Sequence, residues 1–74
     1  MTETMTEQEF SQAVATRLRE LRERKGLTRE AVASGADVSV RAYYTWEAAE
    51  KLPTGASLLK LANFHGLTPA GLIK

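Results

Sequence analysis

Apolar residues recur every three or four positions through the first third of the chain, which is the spacing of one face of an α-helix. This stripe consists of Phe10, Val14, Leu18 and Leu21. Thr6 lies three residues before Glu9, which is the pattern of a capping box at a helix N-terminus. Gly26 supplies a left-handed stop beyond the last turn. The pattern therefore predicts a first helix that begins after Thr6 and ends before Gly26.

A second, shorter helix is predicted from Arg29 to about Gly35. Thr28 is its expected N-cap, because a hydroxyl can accept a hydrogen bond from a backbone N–H of the first turn. Gly35 and Asp37 are expected to supply the turn that follows, since both tolerate left-handed backbone angles better than most residues. The expected buried positions of this segment are Val32, Ala33 and Ala36.

The third predicted helix has two different faces. Ser39 caps it, and it runs from Val40 to a point before Pro53, because the residue preceding a proline avoids the helical region. Residues 48–50 are good helix formers and predict one extra turn. The inward face carries Tyr43, Trp46 and Glu47. The opposite face carries Val40, Arg41, Tyr44 and Thr45.

A fourth helix is predicted from Thr54 or Ser57 to His65, where Gly66 closes it. Gly55 is expected to delay its start, because glycine is a poor helix former. Apolar residues cover much of this segment, so the helix should lie across the core. They are Leu58, Leu59, Leu61, Ala62 and Phe64.

Thr68 and Pro69 form a cap followed by a proline at the first helical position, which predicts a short fifth helix. The five segments predict an all-α fold, a compact five-helix bundle. Residues 1–8 are polar and acidic and are expected to form a partly disordered N-terminal leader. Residues 9–74 are expected to form a single folded domain.

The composition excludes several classes of protein. The 74 residues include no cysteine, so disulfides and cysteine-based zinc sites are impossible. No apolar run approaches the roughly 20 residues of a membrane-spanning helix, and no signal-peptide pattern is present, so a cytoplasmic location is expected. His65 stands alone, which favours neither a metal site nor a catalytic triad. We expect no enzymatic activity, no metal, no cofactor and no small-molecule ligand.

The net charge of +1 is divided unevenly along the chain. Residues 1–15 are acidic, with Glu3, Glu7 and the capping residue Glu9, whereas the chain from residue 16 onward has a positive balance. This modest basic bias permits a nucleic-acid partner without requiring one.

Two stretches of the chain resemble a known family. RLRELRERKGLTREAVASGADVSVRAYYTWE and, after a proline, SLLKLANFHGLTPAGLI are similar to the helix-turn-helix domain of lambda-repressor-like proteins. This superfamily includes phage repressors, Cro proteins and the XRE family. The resemblance spans roughly residues 15–73 without a gap. It implies a DNA-binding domain in which helix 3 enters the major groove.

The resemblance also implies a role for individual residues. Helix 2 would hold a phosphate through Thr28 and Arg29, since helix N-termini attract anions and arginine grips phosphate in a bidentate manner. Lys51 would contact the DNA backbone beyond helix 3. The positions that would open the recognition helix or read base edges are Ser39, Val40, Arg41, Tyr44 and Thr45. Arg41 could pair with guanine, and Val40 could pack on a thymine methyl group.

The same resemblance implies a buried salt bridge between Arg22 of helix 1 and Glu47 of helix 3. Such a pair would fix the position of helix 3 more than it would add net stability.

Leu67, Leu72 and Ile73 are apolar and close together, and they exceed what a short terminal helix can bury. We therefore expect a homodimer surface at this end of the chain.

The expected function is a sequence-specific DNA-binding regulator of transcription, most simply a repressor that binds a near-palindromic operator as a dimer. A phage repressor or Cro-like protein, a restriction–modification controller and an antitoxin autorepressor all have this size. The chain could be complete or the DNA-binding part of a longer protein. An alternative is a helical protein-interaction module that kept the fold and lost DNA reading, which the low net charge favours.

Overall fold

Five α-helices form the secondary structure of the computed structural model, which describes residues 4–73. The helices are α1 (Glu7–Arg24), α2 (Arg29–Ala36), α3 (Val40–Glu47), α4 (Gly55–His65) and α5 (Pro69–Leu72). The all-α, five-helix prediction is confirmed. At every N-terminus a hydroxyl accepts a hydrogen bond of 3.0 to 3.2 Å from a first-turn N–H. These caps are Thr6, Thr28, Ser39, Thr54 and Thr68.

The core lies where the first four helices meet. Helix α1 packs against α3, and α2 packs against both α3 and α4. The residues at this junction that have no exposed surface are Leu18, Val32, Ala33, Tyr43, Leu61 and Ala62. Small side chains at two of these positions, Ala33 and Ala62, let α2 approach its neighbours closely.

Gly35 lies inside α2 and does not form the turn, which corrects the sequence prediction. The ring of Phe64 on α4 covers this glycine so closely that a Cβ atom at position 35 would lie 2.3 Å from Cε1 of the ring. The glycine is therefore needed for close packing of α2 on α4. Asp37 alone supplies the left-handed residue of the turn, with φ of 60°.

Four helices end in the same way, with a residue in the left-handed region just beyond the last turn. These residues are Gly26, Asp37, Ala49 and Gly66. After α3, the N–H of Ala49 bonds to Trp46 and the N–H of Glu50 bonds to Thr45, which is a Schellman motif. The predicted extra turn of helix 3 is therefore wrong. The chain turns there and brings Pro53 into a buried position.

Two other predicted boundaries also need correction. Helix α4 begins at Gly55, directly after its cap Thr54, so the glycine does not delay the helix. Helix α1 begins at Glu7, so the last two residues of the predicted leader are helical. Residues 4–6 precede the helix, and residues 1–3 lie outside the described part of the chain.

Helix α5 packs against α4 and buries Leu72, which is 1% exposed. The prediction that Leu72 lies on a dimer surface is wrong, because this side chain belongs to the core. Arg17 on α1 holds the end of α5 by donating hydrogen bonds to the carbonyl oxygens of Leu72 and Gly71 at 3.0 and 3.2 Å. Leu67 is half-buried against the core, and Ile73 remains exposed.

Candidate nucleic-acid interface

Helices α2 and α3 are joined by a tight turn at residues 37–39. The N–H of Val38 reaches back to the carbonyl of Ala33 at 3.0 Å, which closes a Schellman motif around Asp37. Lys60 on α4 donates a hydrogen bond of 3.1 Å to the carbonyl oxygen of Asp37. The turn is therefore fixed both by its own hydrogen bonds and by a contact from α4.

The inner face of α3 is aromatic and apolar. Tyr43 has no exposed surface, and Trp46 is almost fully buried. Their rings meet edge to face, with centroids 6.1 Å apart. Both residues therefore pack in the core, as the sequence predicts, and cannot stack on bases.

A two-point ion pair joins α3 to α1. Nε of Arg22 lies 2.7 Å from one carboxylate oxygen of Glu47, and Nη2 lies 3.0 Å from the other. The side chain of Glu47 is only 2% exposed. Nη1 of Arg22 donates to the carbonyl oxygen of Leu27 at 3.1 Å, so each terminal nitrogen of the guanidinium is used. This geometry fixes the inward side of α3 at a defined position.

Arg29 is a second partner of Glu47, which the sequence did not indicate. Its Nε atom lies 3.1 Å from Oε1 of Glu47, while 42% of its side chain is exposed. Burial alone would raise the pKa of Glu47, but the hydrogen bonds from Arg22 and the charges of both arginines outweigh burial and lower the pKa. Glu47 is therefore ionised and shared between α1 and α2.

The outer face of α3 is accessible along its first five residues. Val40 and Tyr44 are 39% and 41% exposed, and Arg41 is also exposed. Thr45 is half-buried, and its hydroxyl donates to the carbonyl oxygen of Ala42 at 2.6 Å. The residues of the predicted base-reading set thus lie on one surface, but the hydroxyl proton of Thr45 is already used.

The expected phosphate-binding residues lie around this face. The hydroxyls of Thr28 and Ser39 act as helix caps, so they orient the N-termini of α2 and α3. Lys51 lies beyond α3 and is exposed. Arg29 is placed between Glu47 and the ring of Tyr44, whose centroid is 5.3 Å from the guanidinium carbon.

Glu30 completes the contacts of Tyr44 and was absent from the predicted site. The hydroxyl of Tyr44 donates a hydrogen bond to the Glu30 carboxylate across the α2–α3 crossing. This hydrogen bond lowers the pKa of Glu30, and a backbone hydrogen bond of the same residue lowers the pKa further. No local pattern reveals a pair 14 residues apart; only the crossing of the two helices brings it together.

Residues 4–73 match neither the pattern of a metal site nor that of a membrane-spanning helix. No group of three potential metal-binding side chains is present in this part of the chain. None of its helices is long and apolar enough to cross a membrane.

Two short helices joined by a tight turn, with the second held from inside and exposed outside, define the helix-turn-helix class of DNA-binding domains. The family model described as "Helix-turn-helix domain" matches residues 13–72. The chain therefore belongs to this helix-turn-helix domain family. The resemblance seen in the sequence is confirmed at this level.

A solved structure shows the same fold. The chain is similar to the structure titled as the hypothetical transcription factor NHTF from Neisseria, with a TM-score of 0.82 and 20% sequence identity. The likeness covers 100% of this chain and 85% of the Neisseria chain. No curated protein matches the chain. Family and fold together support a DNA-binding regulator.

Proposed function

We propose that this protein is a sequence-specific transcriptional regulator, most simply a repressor, that inserts α3 into the major groove of DNA. One observation carries the proposal: α3 is anchored from inside by the buried Glu47 carboxylate and leaves Val40, Arg41 and Tyr44 exposed. A rigid helix with one free polar face is what direct reading of base edges requires.

Arg41 is the main base-reading residue in this proposal. Its guanidinium can donate two parallel hydrogen bonds to O6 and N7 of guanine. Val40, one residue earlier, offers an apolar surface to a thymine methyl group. Thr45 contributes its methyl group and acceptor lone pairs, because its hydroxyl proton bonds to Ala42.

Phosphate contacts would position the helix without selecting a sequence. The backbone N–H groups behind the caps Thr28 and Ser39 point out of the N-termini of α2 and α3, where anions are favoured. The exposed edge of Arg29 and the side chain of Lys51 add positive charge beside them. These four positions form the proposed backbone-contacting set.

A dimer is proposed because a single helix-turn-helix module has too small an interface for tight binding. Two copies would read half-sites about 34 Å apart on a near-palindromic operator. Ile73 is exposed, and Leu67 is half-buried, so these two residues remain candidates for the contact between copies. Leu72 is not a candidate, because it is buried within each copy.

The proposed setting is the nucleoid of a bacterial or phage-infected cell, in the cytoplasm. A repressor there would act by covering a promoter. A phage repressor or Cro-like protein, a restriction–modification controller and an antitoxin autorepressor are all consistent with one small DNA-reading domain.

Selection from a random duplex library by the purified protein tests the proposal. We expect an enriched motif with two related halves, and tighter binding to that duplex than to a scrambled duplex of the same composition. Binding that depends on salt but not on sequence would contradict sequence-specific regulation.

A protein-interaction module is the second candidate, and the charge of the helix-turn-helix segment favours it. Residues 28–51 contain three basic and four acidic side chains, a net charge of −1 where DNA-binding surfaces are usually positive. If the folded protein enriches no duplex at low salt, this second function replaces the first.

A further inference from the structure

Four charged side chains meet at the crossing of α1, α2 and α3, and their charges cancel. Arg22 and Arg29 both contact Glu47, and the guanidinium of Arg29 also lies over the ring of Tyr44. The hydroxyl of Tyr44 in turn bonds to Glu30. The two arginines are thus balanced by the carboxylates of Glu47 and Glu30. These carboxylates offset part of the positive charge that the exposed edge of Arg29 presents to a phosphate.

Glu30 differs from Glu47 because it is exposed. Glu47 is buried under α3 and is occupied by both arginines. Glu30 lies in the first turn of α2, and Tyr44 brings its carboxylate beside the exposed face of α3. An ionised carboxylate at this place repels any DNA backbone that comes near it, whatever the base sequence.

The same carboxylate keeps acceptor capacity for a base. A carboxylate has about four lone-pair sites, and the hydrogen bond from Tyr44 goes to Oε2 of Glu30. In the major groove, the amino groups at cytosine N4 and adenine N6 can each donate a hydrogen bond to a carboxylate. A base with such a donor at the right position offsets the repulsion, whereas other bases leave the repulsion uncompensated.

We propose, resting on the proposed function, that Glu30 is a specificity-determining residue that accepts a hydrogen bond from a cytosine or adenine amino group and penalises every other sequence. Tyr44 is a positioning residue, because its hydroxyl holds the carboxylate against the reading face. Discrimination in this protein thus comes from a built-in repulsion as well as from the attraction of Arg41.

Parallel library selections with the wild-type protein and Glu30→Ala test this proposal. We expect the wild-type motif to contain a position restricted to cytosine or adenine, and Glu30→Ala to lose that restriction. Glu30→Ala should also bind a scrambled duplex roughly fivefold more tightly, the scale of one charge pair about 4 Å apart in bulk water. The slope of the logarithm of the binding constant against the logarithm of the salt concentration should steepen by the equivalent of about one phosphate contact.

Two further variants sharpen the test. Tyr44→Phe keeps the ring and removes the donor, so it should blur the same motif position in part. Glu7→Ala removes the same charge from an exposed residue in the first turn of α1, and it should leave the motif unchanged.

The outcomes separate the two proposals. If the wild-type motif is clear and Glu30→Ala returns it unchanged, or if Glu7→Ala tightens scrambled binding equally, Glu30 is not a specificity residue. If the wild-type protein enriches no motif, both proposals fail. Thermal melting of each variant by circular dichroism establishes that a change in binding is not a change in folding.

Discussion

The inner and outer faces of α3 each hold a carboxylate, and the two carboxylates have opposite surroundings. Glu47 is 2% exposed and lies within 3.1 Å of two arginines. Glu30 is exposed and accepts its side-chain hydrogen bond from Tyr44, which is itself exposed. Water screens the outer pair, whereas the Glu47 carboxylate is shielded from water. The same chemical group therefore fixes the fold on one face and remains available to a partner on the other.

Removing the inner carboxylate should have the largest effect on the protein. Glu47→Ala leaves the largely buried Arg22 without its carboxylate partner, and breaking a buried pair costs about 3–5 kcal/mol. That is a large part of the roughly 5–15 kcal/mol that stabilises an ordinary domain. We expect a loosened or unfolded protein, measured by urea denaturation and by the thermal midpoint.

Glu30→Ala is the matched control for that prediction. It removes one exposed carboxylate from the same helix crossing and should change the free energy of unfolding by less than about 0.5 kcal/mol. An unchanged thermal midpoint for Glu47→Ala would show that the buried pair does not form. Equal losses for both variants would remove the distinction between the two faces.

Acid should have the next largest effect on stability, first through His65 on α4 and then through Glu47 on α3. The effect should be smaller than that of Glu47→Ala because the protonated carboxyl keeps its volume. Burial, and then the positive charges of Lys25 and Arg17, lower the pKa of His65 in the folded state. Both ring nitrogens of this buried residue lack a hydrogen-bond partner among residues 4–73. His65 therefore binds a proton more readily in the unfolded chain than in the folded protein. Stability from this source is complete above pH 6.5 and declines as the pH falls below that value.

Glu47 adds a second decline at lower pH. Its folded pKa is lowered from 4.5, so the stability it contributes is present above pH 4.5 and is lost as the pH falls through the folded value. Denaturation at a series of pH values should show both declines. In Glu47→Gln the decline below pH 4.5 should flatten while the one that begins near pH 6.5 stays. If Glu47→Gln keeps both declines, a group other than Glu47 causes the decline below pH 4.5.

The outer face is expected to affect binding and not folding. Arg41→Ala should weaken binding to the selected duplex by about 1–3 kcal/mol and relax the motif at one position. Its free energy of unfolding should stay within about 0.5 kcal/mol of the wild type, because Arg41 is exposed. Fluorescence titration with the selected duplex measures the first quantity, and urea denaturation measures the second.

Arg24→Ala is the charge-matched control for Arg41→Ala, since Arg24 is exposed at the end of α1. Equal losses of affinity in the two variants would mean that Arg41 acts only through net charge. Arg41 is a cleaner probe than Arg29, because Arg29 also bonds to Glu47 and its loss would mix folding with binding.

The features that sequence predicted well are local. Each hydroxyl cap lies within three residues of its partner, and the alternation of faces on α3 follows from helix period alone. The features that sequence missed depend on distant segments. Leu72 looked free until α5 packed on α4, and Glu30 gained its role only when α2 crossed α3. The roles of residues that depend on packing between distant helices could therefore be seen only in the structure.

The end of α3 is one place where local preference lost to packing, and it gives the smallest expected effect. Ala49 adopts φ of 61°, a left-handed conformation that costs an L-residue about 1–2 kcal/mol. Ala49→Gly relieves this strain, but the unfolded chain gains freedom and a nearly buried methyl group is lost. We expect a net gain of about 0.5–1 kcal/mol and a thermal midpoint several degrees higher.

Ala48→Gly is the matched control, because Ala48 has an ordinary right-handed φ of −85° one residue earlier. The same change there should lower stability, since glycine brings only added freedom to the unfolded chain. Ala49→Gly should also leave affinity for the selected duplex within about twofold, because residue 49 lies beyond the exposed residues that read bases. Loss of stability in both variants would mean that packing of the Ala49 methyl group outweighs its backbone strain. A large change in affinity would mean that the backbone at the end of α3 determines the position of its outer face as well as that of its inner face.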